Sequence, residues 1–261
     1  MDTGVIFKNI TRAHLYLMKL FGHLLLQELR YLAGGTLEKS SYLVVPEKKL
    51  VYLVNSKVAC SSFKQVLLAS VAGKQVSDDY SVHTDPEVVR RSRRYLGGAE
   101  RKFFVFTFVR NPFERLVSTY VNKFCDYRKI AHAGFEYQYY LGGIFKPADS
   151  FAEFVDKVAS IPDRAADRHF VSQSFMICRM ANHPPDFIGR LESVTEDYRE
   201  LAERFGLPEL PHFNKSSHYD YREYYRSRTL VEKVYRKYRA DVDDLGYRDV
   251  YEKLLKDASQ P

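Results

Sequence analysis

The chain reads as an α/β protein, a parallel β-sheet flanked by helices, on three observations. Residues 50–54 (LVYLV) and 103–109 (FFVFTFV) are short unbroken apolar runs, the composition of strands buried on both faces. Each leads through a polar turn into apolar residues at helical spacing. These are Phe63, Val66, Leu67 and Val71 after the first run, and Phe113, Leu116, Val117, Tyr120, Val121 and Phe124 after the second. A third run, 186–192 (DFIGRLE), reads as another buried strand and precedes a further helix. Strands alternating with helices make a parallel sheet covered on both faces, with ligands at the carboxyl ends of its strands.

In chain order, a helical segment comes first, over residues 1–35. It is rich in Leu, Phe and Ile, but Lys8, Arg12, His14, Lys19, His23, Gln27, Glu28 and Arg30 interrupt it. It therefore lacks the roughly 20 apolar residues of a membrane span. Packing on the core or on a second subunit is its expected role, so a homo-oligomer is open, as is peripheral contact with a membrane surface. Residues 42–45 read as a short strand before a turn at 46–49. The first central helix starts near Ser62 and ends near Gly73. The second starts at Pro112, where a missing N–H costs nothing. Ser150 with Glu153 forms a capping box. Ser193 with Glu196 caps a helix that Gly206 and Pro208 stop, and 229–240 is a basic helix. Two stretches carry two readings each. Arg90, Arg91, Arg93 and Arg94 are a solvated face or contacts to an acidic acceptor. The aromatics of 125–149, Tyr137 and Tyr140 among them, are an acceptor-side lid or a packed loop.

No repeat or linker-like stretch divides the 261 residues, so a single domain is expected. The net charge of +7 favours acidic partners. Cys60, Cys125 and Cys178 stand far apart without metal-ligand spacing, so no metal is expected, and free thiols suit a reducing compartment.

The chemistry concentrates at the two strand-to-helix junctions. Residues 55–62 (NSKVACSS) are small or hydroxyl-bearing around Lys57, and backbone N–H groups at a helix start form an anion site. At the second junction Arg110 ends the strand and Ser118 lies about two turns into the helix, an arginine fork and a hydroxyl suited to phosphate.

Together these stretches resemble the carbohydrate sulfotransferases that use 3′-phosphoadenylyl sulfate (PAPS), in particular the HNK-1 and chondroitin 4-O-sulfotransferase group. SKVACSSFKQ (56–65) is similar to the family's PKVGCSNWKR loop, matching at Lys57, Cys60, Ser61 and Lys64. FVRNPFERLVSTYVNKF (108–124) is similar to FVRDPFERLVSAYxxKF nearly throughout. DRHFVSQSF, DFIGRLES, LPHFNKSS and YRADVDDLGY follow in the family's order, so the likeness spans residues 50–247. Ser56 replaces a proline, Ala59 a glycine, Phe63 a tryptophan and Asn111 an acidic residue.

The resemblance implies a sulfotransferase fold related to P-loop nucleotide kinases, with PAPS as donor and an acidic or neutral glycan or glycoconjugate hydroxyl as acceptor. It implies that Lys57, Val58, Ala59, Cys60, Ser61, Ser62 and Phe63 surround the 5′-phosphosulfate, and that Arg110 and Ser118 hold the 3′-phosphate. By position, Lys215 and Ser216 would close over the donor. Lys57 would meet the charge that builds on the leaving phosphate. His83, between the two donor motifs, is the expected general base, and His169 is the second candidate. Animal relatives are single-pass Golgi proteins. No anchor or signal is visible here, so a soluble, bacterial, cytoplasmic enzyme is expected. Two other classes fit less well. A P-loop kinase would carry GxxxxGK[ST], whereas Lys57 precedes the small residues. A nucleic-acid-binding protein would carry a reader motif, and none is present, so no nucleic-acid partner is expected.

Overall fold

A computed structural model describes residues 42–73, 81–125, 137, 140–211 and 219–258, together with Gly22 and Leu25. The N-terminal segment is otherwise outside the described residues, as are Lys215 and Ser216. Strands β1 (Tyr42–Val45) and β2 (Leu50–Leu53) form an antiparallel hairpin with Tyr42 opposite Leu53. A 3₁₀ turn, Pro46–Lys48, closes it, with Lys49 left-handed at φ 49°. β3 (Ser92–Arg93) adds antiparallel to β1. β4 (Phe104–Val109) runs parallel to β2, and β5 (Phe187–Arg190) parallel to β4. The order is β3-β1-β2-β4-β5. The expected parallel sheet is therefore one side of it, β2, β4 and β5, extended beyond β2 by two antiparallel strands. So short a turn after β1 allows only an antiparallel return, because a parallel one needs a crossover of about a dozen residues or more. β5 corrects a second expectation. It is an edge strand rather than a fully buried one, and Ile188 is 42% exposed.

The strand alternation sorts side chains onto two faces. Leu43, Val45, Leu50, Tyr52, Phe106 and Phe108 meet helix α1 (Cys60–Ala72), α2 (Pro86–Arg91) and, further along the chain, α5 (Val194–Phe205). Tyr42, Val44, Val51, Leu53, Val105 and Val109 pack against Leu96, Met176, Ile177 and Tyr247. Phe63 anchors α1 by stacking on Phe108, ring centroids 4.4 Å apart. Phe108 in turn needs Gly189 beneath it, since a Cβ there would lie 2.4 Å from its ring. Truncating a buried ring such as Phe63 typically costs about 3–5 kcal/mol.

Helix α3 (Pro112–Tyr120) begins under an Asn111 cap, whose side chain accepts from the Phe113 N–H, and runs into a π-helical turn, Val121–Cys125. α4 (Phe151–Ser160) has the expected capping box. α5 stops at left-handed Gly206, but Ser193 makes no cap bond, and its hydroxyl donates to Asp197 instead, at 2.9 Å. The basic helix is two: α6 (Arg228–Lys237) and α7 (Arg239–Asp244), broken at Tyr238, whose buried hydroxyl donates to the Phe170 carbonyl. α8 (Arg248–Asp257) completes the chain's described part. Tyr120, Phe124, Tyr137, Phe145, Phe154, Phe170 and Tyr225 form a second, aromatic core. Tyr137 packs inside this core and Tyr140 against it, while the rest of the aromatic stretch, residues 126–136 and 138–139, lies outside the described residues. Arg91 is buried between Glu47 and Glu87, Arg90 pairs with Glu87, and Arg93 pairs with Glu100. No helix among the described residues is long and apolar enough to cross a membrane.

Candidate active site

The site lies beyond the carboxyl ends of β2 and β4. After β2 the chain turns through two left-handed residues, Lys57 at φ 67° and Ala59 at φ 47°, before α1 starts. Such a turn gathers successive N–H groups into an anion nest. The first helical bond runs from Phe63 N to Ala59 O, so the N–H groups of the opening residues of α1 have no helical partner. Of the loop residues, Val58 and Phe63 are buried in the core, so only their backbones face the turn. Ser61, Ser62, Cys60 and Lys57 are partly exposed.

Two arginines from the second junction hold this loop. Arg110, at the end of β4, donates from Nη1 to the Lys57 carbonyl (3.2 Å) and from Nη2 to Glu114 (2.6 Å). Its Nε is buried and has no hydrogen-bond partner. Arg115 is 2% exposed and spends its fork on carbonyls. Nε donates to Ser56 O at 3.0 Å, Nη1 to Val171 O at 2.7 Å and Nη2 to Arg168 O at 2.9 Å. It thereby ties the loop to the 168–171 segment. Sequence reasoning singled out Arg110 and Ser118 at this junction but missed the Arg115 clamp. The signal was an arginine flanked by the apolar stripe. Ser118 is buried in the middle of α3, and Asn122 accepts from Lys57 Nζ at 2.5 Å.

Both histidines lie near this loop. His83, in a 3₁₀ turn (Ser81–His83), lies 3.0 Å through Nε2 from the Ser61 hydroxyl and 3.0 Å through Nδ1 from Lys64 Nζ. Partial burial, the Lys64 charge and Arg168 push its pKa down to about 4. His169 is buried, with Nδ1 2.6 Å from Asp167 Oδ1 and 3.1 Å from the Tyr137 hydroxyl. Burial lowers its pKa against the pull of Asp167, and Lys57 and Lys123 lower it further. Burial lowers that of Lys64 as well. Lys57, Lys64, Lys123 and Arg168 thus act on one small region. An unpaired buried N–H such as Arg110 Nε costs about 1–3 kcal/mol, which an oxyanion would relieve. The residues present fit an anionic donor at both junctions.

The sequence is similar to known sulfotransferases. A family model described as "Sulfotransferase family" matches residues 40–258. Carbohydrate sulfotransferase 14 of Danio rerio is 28% identical over 187 residues, covering 64% of this chain and 48% of that protein. Carbohydrate sulfotransferase 12 of Mus musculus is 25% identical over 273 residues, covering 83% and 62%. Carbohydrate sulfotransferase 11 of Rattus norvegicus is 33% identical over 92 residues, covering 32% and 26%. The chain spans about half the length of the first of these relatives. No solved structure matches. With the family model covering all five strands and both strand-to-helix junctions, the chain belongs to the sulfotransferase family.

Proposed function

We propose that this chain transfers a sulfuryl group from PAPS to a hydroxyl of a carbohydrate or glycoconjugate. The observation that carries the reading is Arg110. It is a buried guanidinium that grips the Lys57 carbonyl of the anion nest while its Nε lacks an acceptor, in a chain of this family. PAPS supplies an activated sulfuryl group, whose bond to the donor phosphate breaks as a bond to the acceptor oxygen forms. Lys57, Ser61, Ser62 and the backbone from Val58 to Phe63, Ala59 and Cys60 included, hold the 5′-phosphosulfate. Arg110, oriented by Glu114, and Ser118 hold the 3′-phosphate. Lys57 neutralises the leaving phosphate, because charge in a partly desolvated site is worth more than in water. Lys215 and Ser216 close over the donor, on sequence position alone.

His83 takes the proton of the acceptor hydroxyl. Ser61 and Lys64 rest on its two ring nitrogens. Turned toward a bound anion, they release the ring. The anion's charge then raises a pKa that partial burial and cationic neighbours hold low. His169, tied to Asp167 and Tyr137, orients the far wall of the site. The test is incubation with labelled PAPS and a panel of polysaccharides and glycolipids. Label should appear in a glycan in proportion to adenosine 3′,5′-bisphosphate released. Release without any glycan product, or binding of ATP with magnesium in preference to the bisphosphate, would overturn the reading.

A further inference from the structure

Two residues of family-like stretches, Gln173 and Asp241, have no part in the chemistry above, yet they meet behind it. Backbone pairing between β2 and β4 is registered from Leu50 opposite Phe104 to Tyr52 opposite Phe106. Beyond that, side chains bridge the strand ends. The Thr107 hydroxyl donates to Leu53 O at 2.8 Å, and Asn55 Nδ2 donates to Phe108 O at 3.0 Å. Gln173 comes next. Its Oε1 accepts from Asn55 Nδ2 and from Arg110 N, both at 3.0 Å, and its Nε2 donates to Arg110 O at 2.7 Å. One side-chain amide thus stands in for a peptide unit between the two strand ends. Each strand end leads into one anion-binding arm.

Gln173 is itself seated from below. Asp241, on α7, accepts from Gln173 N at 2.8 Å and from Ser174 N at 2.7 Å. Asn55, Gln173 and Asp241 are all fully buried, 0% exposed. A carboxylate taken wholly out of water for two backbone N–H groups costs stability, which argues that it is kept for the geometry it imposes. We propose that Gln173, seated by Asp241, is a positioning residue that sets the separation of the two anion-binding arms, and so makes the site select a nucleotide bearing both phosphates. The inference rests on the reading of Arg110 and the Lys57 loop as those arms. A ligand held at both ends gains from the second contact only if the spacing matches, as with any bivalent ligand.

The experiment measures binding of adenosine 3′,5′-bisphosphate, 5′-AMP and 3′-AMP by calorimetry to the unsubstituted chain, Gln173→Met and Asp241→Asn. Met keeps the length of Gln without its amide. Asp241→Asn keeps the size of the side chain but leaves one of the two backbone N–H groups facing an amide NH2 instead of an acceptor, and it carries the same expectation should the Met variant fail to fold. Either variant should lose about 10- to 100-fold for the bisphosphate, the scale of an approximately 1 Å misplacement, while each monophosphate changes by less than about threefold. Equal losses for all three ligands would mean a general structural role and overturn the inference, as would a variant that keeps its preference for the bisphosphate. An unsubstituted chain without that preference would overturn the donor reading itself, and the inference with it.

Discussion

The imidazole of His83 should titrate differently with and without a nucleotide in the site. Partial burial, Lys64 and Arg168 push its pKa down to about 4. Ser61 lies 3.0 Å from Nε2, so an anion hydrogen-bonded to Ser61 would sit ~5 Å from the ring. One negative charge at ~5 Å and an effective dielectric of ~20 is worth ~3 kcal/mol, about two pH units, and solvent screening of this half-buried ring cuts that to about one to two. The sign is upward, because an anion favours the charged imidazolium. NMR titration of the imidazole resonances, assigned with His83→Gln, reads the change directly on adding adenosine 3′,5′-bisphosphate. Kinetics should follow. The acid limb of turnover at saturation lies about one to two pH units above that of kcat/KM for the donor. His83→Ala should keep donor affinity and lose roughly 10²–10⁴-fold in rate. A ring whose pKa stays put or falls on nucleotide binding, or an active His83→Ala chain, would refute the reasoning and pass the role of base to His169.

Three further outcomes test the same site. Arg110→Ala should weaken the bisphosphate by about 1.5–3 kcal/mol, the worth of a charged hydrogen bond, and 5′-AMP by much less, as read by calorimetry. Lys57→Ala should lower kcat more than donor affinity, since its charge matters most as the leaving oxygen becomes anionic, and steady-state kinetics separates the two. Ala59→Gly should stabilise the chain by about 0.5–1 kcal/mol in a urea melt. Left-handed φ 47° at Ala59 costs an L-residue about 1–2 kcal/mol, part of which the added freedom of glycine in the unfolded chain offsets.

What the sequence made legible was whatever depends on neighbours a few residues apart. The apolar runs that became β2 and β4, the stripe of α3 and the Ser150–Glu153 capping box are all local patterns, and they appear nearly where expected. The Lys57 loop and Arg110 were legible as types of residue at strand ends, and the structure joins them through one hydrogen bond. The antiparallel direction of β1 and the edge position of β5 are pairing choices between distant segments, which periodicity does not encode. Lys64 was aligned to the family loop, but its contact with His83 depends on a turn that folds back over α1. Gln173 and Asp241 stood in recognisable stretches with no visible role, because their partners lie 63 and 68 positions away.

The departures from the family pattern take on a physical meaning once the clamps are in view. Ser56, Ala59 and Phe63, where the family has proline, glycine and tryptophan, all belong to the first motif. Proline and glycine would give that loop its shape from within, by restricting one dihedral and freeing another. Here the shape is imposed from outside. Arg115 holds the Ser56 carbonyl on one side of the turn, and Arg110 holds the Lys57 carbonyl next to it. Strained residues persist where surrounding structure over-determines them, and Ala59 in the left-handed region is such a case. Both clamps come from the second motif, which matches the family nearly throughout. The departures in the first motif are therefore compatible with a loop whose shape is held by the second. Arginines that are buried among carbonyls leave little room to vary, and the loop they grip can change its residues while keeping its fold.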